Sequence, residues 1–180
     1  LSLDAQAKDD NVSTTLNWGN NAAVTYSGQL AAVAKFLRTS GEKPLLKAMV
    51  DVKPTDVILN DTLWKIHASQ VVVDSGRVDV NNFYFSHQDR YVRINGRLSE
   101  NPKDTVKVDL KDINMGYVFD IASISDDVNF EGDAMGTAYA SGVLKKPIMN
   151  TRLYIKNFSL NQGRLGDLDI YGCLLYTSDA

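Results

Sequence analysis

The run Phe130-Glu-Gly-Asp-Ala-Met-Gly-Thr-Ala-Tyr-Ala-Ser-Gly-Val-Leu-Lys-Lys-Pro147 decides how this chain is read. Gly132, Gly136 and Gly142 recur through it, with small residues between them. Glycine, threonine and serine at this density disfavour a helix. The run fits a β-strand, a Gly-Val-Leu-Lys-Lys-Pro turn and the entry to a second strand. Glycine inside a strand marks a bulge, a bend or a close backbone approach, and proline suits a strand's first position. Gly132, Gly136, Gly142 and Pro147 are therefore assigned to turn or curvature rather than to chemistry.

Period-two alternation continues in both directions from this run, the mark of a half-buried strand. Upstream, Val92, Ile94, Gly96 and Leu98 oppose Arg93, Asn95 and Arg97, and Val106, Val108 and Leu110 oppose Lys107, Asp109 and Lys111. Trp64, Ile66 and Ala68 alternate with Lys65, His67 and Ser69, and Val78 and Val80 with Arg77, Asp79 and Asn81. The same pattern runs back through Leu46–Val52, with Pro54 as punctuation, to Val12–Trp18 and Leu1–Ala7. Ala31 to Arg38 has helical propensity, but Leu30, Ala32, Ala34 and Phe36 fit one face of a continued strand. Downstream, Leu153, Ile155, Phe158 and Leu160 carry the pattern on.

The pattern breaks once. Ile113, Tyr117, Ile121 and Ile124 have helical spacing, and Asp112 could cap such a turn. A short crossing helix or irregular segment is expected near 113–124. Elsewhere the turns are short and strands recur at about 10-residue intervals, which favours an antiparallel meander over βαβ units. The predicted class is all-β: a curled, mostly antiparallel meander. Nearly every strand has one apolar face, which must be covered. A second sheet, closure into a barrel or an apolar ligand would each do so.

The 180 residues carry a formal net charge of −3 and 23% charged side chains, a folded and nearly neutral chain. Lys and Arg are scattered, so nucleic acid is not an expected partner. No apolar run is long enough for a transmembrane helix. Leu1 falls within an alternating run and is preceded by no Met or basic leader, which reads as a piece of something longer. Residues Cys173 to Ala180 read C-L-L-Y-T-S-D-A and resemble, in one frame, a translated transposase-end sequencing adapter. The chain is thus divided into a folded unit, 1–172, and a non-native tail, 173–180; an ordinary final strand is the alternative. Cys173 is the one cysteine, so disulfides and thiolate chemistry are not expected. The cysteine-free remainder is compatible with an oxidising compartment.

Several runs carry a family resemblance: Asp51-Val-Lys-Pro-Thr-Asp-Val-Ile-Leu-Asn-Asp-Thr-Leu-Trp-Lys-Ile66, Val78-Asp-Val-Asn-Asn-Phe-Tyr-Phe-Ser86 followed by Val92-Arg-Ile-Asn-Gly96, and Leu144-Lys-Lys-Pro147 with Ile155-Lys-Asn-Phe158 and Leu165-Gly-Asp167. In this order they resemble the translocation and assembly module (TamB) and AsmA-like family, Bacteroidetes-type, over about residues 1–172. The resemblance implies a taco-like β-groove in the periplasm of a Gram-negative bacterium, within a protein anchored in the inner membrane. It implies phospholipid conduction toward the outer membrane, support of outer-membrane biogenesis and protein secretion, and an outer-membrane barrel assembly protein as partner through parts not present here. Phospholipid acyl chains are the implied ligand, with no other cofactor.

On that reading Trp64, Ile66, Val78, Val80, Val92, Ile94, Val106, Val108 and Leu110 line the groove; packed into a closed sandwich, they would simply be core. Rival readings are a scaffold that pairs β-strands during outer-membrane protein assembly, and a glycan-binding β-solenoid or adhesin module. No enzyme signal is present. His67 and His87 are isolated and lack a zinc-motif spacing. Asp9-Asp10 and Asp126-Asp127 read as solvated loops. Gly132 and Gly136 lack the third glycine and the strand–helix context of a nucleotide fingerprint. No catalytic or metal-binding residue is expected.

Overall fold

The computed structural model describes residues 1–20, 23–38, 46–116, 129–161 and 163–175. Thirteen strands follow one another: β1 (Ser2–Lys8), β2 (Asn11–Gly19), β3 (Ser27–Arg38), β4 (Leu46–Val52), β5 (Thr55–Leu59), β6 (Thr62–Ile66), β7 (Ser69–Asp74), β8 (Arg77–His87), β9 (Arg90–Leu98), β10 (Thr105–Asn114), β11 (Phe130–Ser141), β12 (Ile148–Leu160) and β13 (Gly163–Leu175). All belong to one antiparallel sheet, and the chain is an all-β meander. Its main path runs β1-β2-β3-β4-β7-β8-β9-β10-β11-β12-β13. Among the described residues β1 pairs only with β2 and β13 only with β12, so the sheet is open at both edges.

Three hairpins close through two residues that both have positive φ: Asp9-Asp10, Asn60-Asp61 and Ser75-Gly76. That backbone matches the right-handed twist of the flanking strands. Asp9-Asp10 is thus a tight, solvent-exposed turn. Asp126-Asp127 lies outside the described residues.

β4–β5 and β6–β7 are two bent strands of a single long hairpin, because the register runs on unchanged from Val52↔Ser69 to Thr55↔Ile66. β8 continues in the same way, from Gln70↔Asn81 to Ile66↔Phe85. Against β3, this group holds one extra residue at Lys53-Pro54. Against β9, it holds one at Asn81-Asn82. Three adjacent strands therefore step together at Lys53-Pro54, His67-Ala68 and Asn81-Asn82. A bulge bends its strand and raises the local twist, so a bulge shared by three strands makes a corner. Pro54, which has no N–H to give a ladder, falls at the step.

Further bulges follow at Lys111-Asp112 on β10 and Lys156-Asn157 on β12. Asn82 (φ 55°), Asp112 (50°) and Asn157 (54°) occupy left-handed backbone at the three bulge sites. Asparagine and aspartate tolerate that region best among non-glycine residues.

The curl appears in the packing. Val57, Trp64 and Ile113 form one buried cluster. On a flat sheet β6 and β10 would stand three strand spacings apart, roughly 14 Å. Trp18, Phe85, Val92 and Leu110 pack against the same cluster.

Ile113 belongs to β10 and is 6% exposed, so it does not begin a helix. The bulge at Asp112 gives Leu110 and Ile113 the same face at a spacing of three, which a helix also gives. Met115 and Gly116, directly after β10, are helical, and the remainder of the expected crossing segment, 117–124, lies outside the described residues. Ala68 departs from the expected alternation too: after the step at His67-Ala68, Ser69 takes the inner face opposite Val52. Ala31–Arg38 is strand, as the alternation indicates. β13 runs in register with β12 as far as Leu175, so residues 173–175 form part of the last strand, and 176–180 lie outside the described residues.

Candidate functional site

Cross-strand partners in an antiparallel pair project to the same face, so the register sorts every side chain. One rung reads Ala7, Val12, Ala34, Val50, Val71, Val80, Gly96, Val106, Ala140 and Met149. It crosses ten strands without a polar side chain. At about 4.8 Å per spacing it extends roughly 43 Å along the sheet. Neighbouring rungs are nearly as apolar: Phe83-Ile94-Val108-Ala138-Thr151 on one side, and Phe36-Ala48-Val73-Val78-Leu98 on the other. A further rung, Phe85-Val92-Leu110-Gly136-Leu153-Ile170, leads toward the aromatic end.

All nine side chains assigned to the groove project from this one face. Val80 and Val106 lie on the long rung, Ile94 and Val108 on the next, Val92 and Leu110 on the third, and Val78 beside Val80. Ile66 pairs with Phe85 and Trp64 with Val57. Trp64 and Val106 are buried, and the other seven are half-buried. Trp18, Val57, Phe83, Phe85, Ile113, Leu153 and Ile155 share the face and were not anticipated there. The switch from Val78 and Val80 to Phe83 and Phe85 across Asn81-Asn82 was the available signal.

Away from the Trp64 cluster the face is not a closed core. Every described strand lies in the one sheet, so no second layer of described residues covers it. Across the described chain only Val57, Trp64, Val72, Val106, Ile113, Ala134 and Ile155 are buried apolar residues, and no large side chain is fully buried. The end near Trp64 is the most filled: its ring stacks on Phe85 with centroids 4.8 Å apart. Trp18 and Val57 meet over Gly28. From there toward β1 the inner residues are half-buried or exposed.

Glycines set the curvature of this wall. Gly96 (φ 128°) and Gly136 (φ 138°) sit in mid-strand, where a Cβ would fall 2.3 Å from the Thr105 carbonyl oxygen and 2.2 Å from that of Arg152. Gly132 (φ 134°) lies at the β11–β12 bulge. Gly142 (φ 57°) accepts from the Lys145 and Lys146 amides in the turn that delivers Pro147 to β12.

Charge is concentrated on the opposite face. Asp79 bonds Arg77 and Arg97, and Lys107 Nζ lies 3.0 Å from Asp109. Burial alone would raise the Asp109 carboxyl, but hydrogen bonds from Lys107 and Thr137 outweigh it and hold it below the ordinary value. The Arg93 guanidinium covers the Tyr84 ring at 4.8 Å. Arg90, opposite His87 at the β8–β9 turn, is a charged position on the inner face. The two histidines are not isolated from each other: both line one cavity beside Trp64. Among the described residues no three His, Cys, Asp or Glu side chains gather closely enough to hold a metal ion.

The fold and this face define a class, an open, curled antiparallel sheet with a continuous apolar concave wall and a charged outer wall. No protein family, no curated protein and no solved structure matches the chain at a significant level.

Proposed function

We propose that the chain is a segment of a periplasm-spanning, inner-membrane-anchored protein of the TamB and AsmA-like type, and that its apolar wall conducts phospholipid between the two membranes of a Gram-negative cell. The observation that carries this reading is the ten-strand apolar rung from Ala7 to Met149, with no second layer of described residues over it. A rung of roughly 43 Å is nearly three times the ~15 Å that one leaflet's hydrocarbon occupies. Each methylene moved from water to the wall gains about 0.8 kcal/mol. The gain is the same at successive rungs, so a tail slides with little barrier. A charge on the wall would create one, since an unpaired charge in an apolar setting is costly. The headgroup keeps its contact with water.

The test is photo-crosslinking of lipid to the inner face in Val92→Asp and Val108→Asp variants. The reading predicts that either charge abolishes the adduct; unchanged crosslinking in a folded variant overturns it. A second reading, pairing of nascent outer-membrane strands, takes β1 as the acceptor, which among the described residues pairs with β2 alone. An unpaired edge can accept an added strand. Under that reading, a proline placed in β1 blocks client binding and leaves lipid crosslinking intact.

A further inference from the structure

β6 and β8 pair only at Lys65↔Ser86 and Ile66↔Phe85. Beyond Lys65 the two strands part, and Leu63 and Trp64 have no ladder partner on β8. The His87 ring bridges the gap, its Nδ1 2.7 Å from the Leu63 carbonyl oxygen. A carbonyl only accepts, so Nδ1 carries the proton, and Nε2 makes no hydrogen bond among the described residues.

A cavity of about 280 Å³ opens at this seam, lined by Asp56, Trp64, Lys65, His67, Ser86 and His87 among others. Its lining comes from both faces of the sheet: Trp64 and His87 belong to the inner wall, Lys65 and Ser86 to the outer. Trp64 is 6% exposed, yet its indole Nε1–H has no hydrogen-bond partner among the described residues. A buried donor left unmade costs about 1–3 kcal/mol, so an acceptor is owed there. Lys65 makes no ion pair among the described residues, although Asp56 is its cross-strand neighbour. His67 Nε2 and Ser86 Oγ lie 2.9 Å apart and supply a further polar pair. The cavity thus gathers a lysine, two imidazoles, a hydroxyl and an orphan indole donor against one carboxylate. It does so at the end of an apolar wall.

We propose that this seam is a subsite for the phosphate of an amphiphile whose acyl chain lies on the inner wall, with Trp64 Nε1 and Lys65 Nζ as its donors. The inference rests on the lipid-groove reading and assigns the headgroup chemistry to a place. Phosphate is an acceptor on every face, and it meets donors from both walls of the seam. The tail then runs from Trp64 over Phe85 and Val92 toward the long rung.

The chain has two tryptophans, so its ¹⁵N spectrum holds two indole signals, and Trp18→Phe assigns the one from Trp64. Three probes are titrated: dihexanoyl phosphatidylglycerol below its micelle concentration, dihexanoylglycerol without phosphate, and inorganic phosphate. The proposal predicts a downfield shift of the Trp64 indole with the phospholipid and none with dihexanoylglycerol. Lys65→Ala, an exposed substitution, should weaken the phospholipid about tenfold, the effect of losing a charge-assisted bond of about 1.4 kcal/mol. It should leave dihexanoylglycerol unaffected. A shift with inorganic phosphate, lost in Lys65→Ala, supports the site with free phosphate as a sufficient source; silence of that probe beside a phospholipid shift supports it with the lipid headgroup as the source. Equal shifts with and without the phosphate group overturn the subsite. So does a silent indole while lipid still crosslinks to Val108, an outcome that leaves the groove intact. Absence of lipid from the inner wall altogether overturns both.

Discussion

Trp18 and Val57 meet over Gly28: a Cβ at position 28 would lie 2.6 Å from the Trp18 ring and 2.7 Å from Val57 Cγ1. The absent side chain lets β2 and β5 close across β3 at the filled end of the groove. Gly28→Ala must push both neighbours apart, and overpacking of this kind costs about 1–3 kcal/mol. Urea unfolding should show the midpoint lowered by that free energy divided by the slope, with the slope itself unchanged. A midpoint equal to the parent's would mean that the two side chains can part freely.

Gly96 and Gly136 should tolerate alanine still less. Each has a φ that L side chains rarely adopt, and each would press a Cβ into a backbone carbonyl of the neighbouring strand. Backbone cannot move aside as a side chain can. Gly96→Ala and Gly136→Ala should each be more destabilising than Gly28→Ala in the same urea assay. Gly76→Ala provides the control for φ alone, because nothing lies within 4 Å of a Cβ there.

Asp167 ties the β12 bulge to β13. Its carboxylate accepts from the Tyr154 hydroxyl at 2.5 Å and from the Asn157 amide at 3.0 Å. These bonds, Tyr154's first, hold the carboxyl below the ordinary aspartate value, while the Tyr154 hydroxyl is raised by the same contact. A depressed carboxylate adds stability that is present above its unfolded value of about 3.9 and is lost as pH falls through the lower, folded value. Amide-exchange protection at Asn157 should therefore be constant at neutral pH and fall on acidification below about 4. Asp167→Asn should lower the protection at neutral pH and remove this dependence. Protection that is unchanged by the substitution would dissociate the bulge from the carboxylate.

The alternation in the sequence made the inner face legible because antiparallel pairing preserves parity from strand to strand. Val80, Gly96 and Val106 could be placed on one face without knowledge of their partners. Bulges are where that legibility ended. Each adds one residue and reverses the parity beyond it, so Ile113 took on helical spacing and Ala68 was set on the wrong face. Asn82, Asp112 and Asn157 carry the left-handed backbone that does this, but the same residue types also serve in ordinary turns. The seam was hidden for another reason. Lys65, His67 and His87 are unremarkable singly, and only the parting of β6 from β8 gathers them beside the Trp64 indole. The glycines of Phe130–Pro147 were readable as curvature, although not which neighbouring carbonyl each must approach.

The most direct test of the central claim is a residue-by-residue photo-crosslinking scan along β9 and β10 in cells that carry the protein. The account predicts lipid adducts with a period of two: present at Val92, Ile94, Val106 and Val108, and absent at Arg93, Asn95, Lys107 and Asp109. Adducts on both faces alike, or on neither, would contradict it.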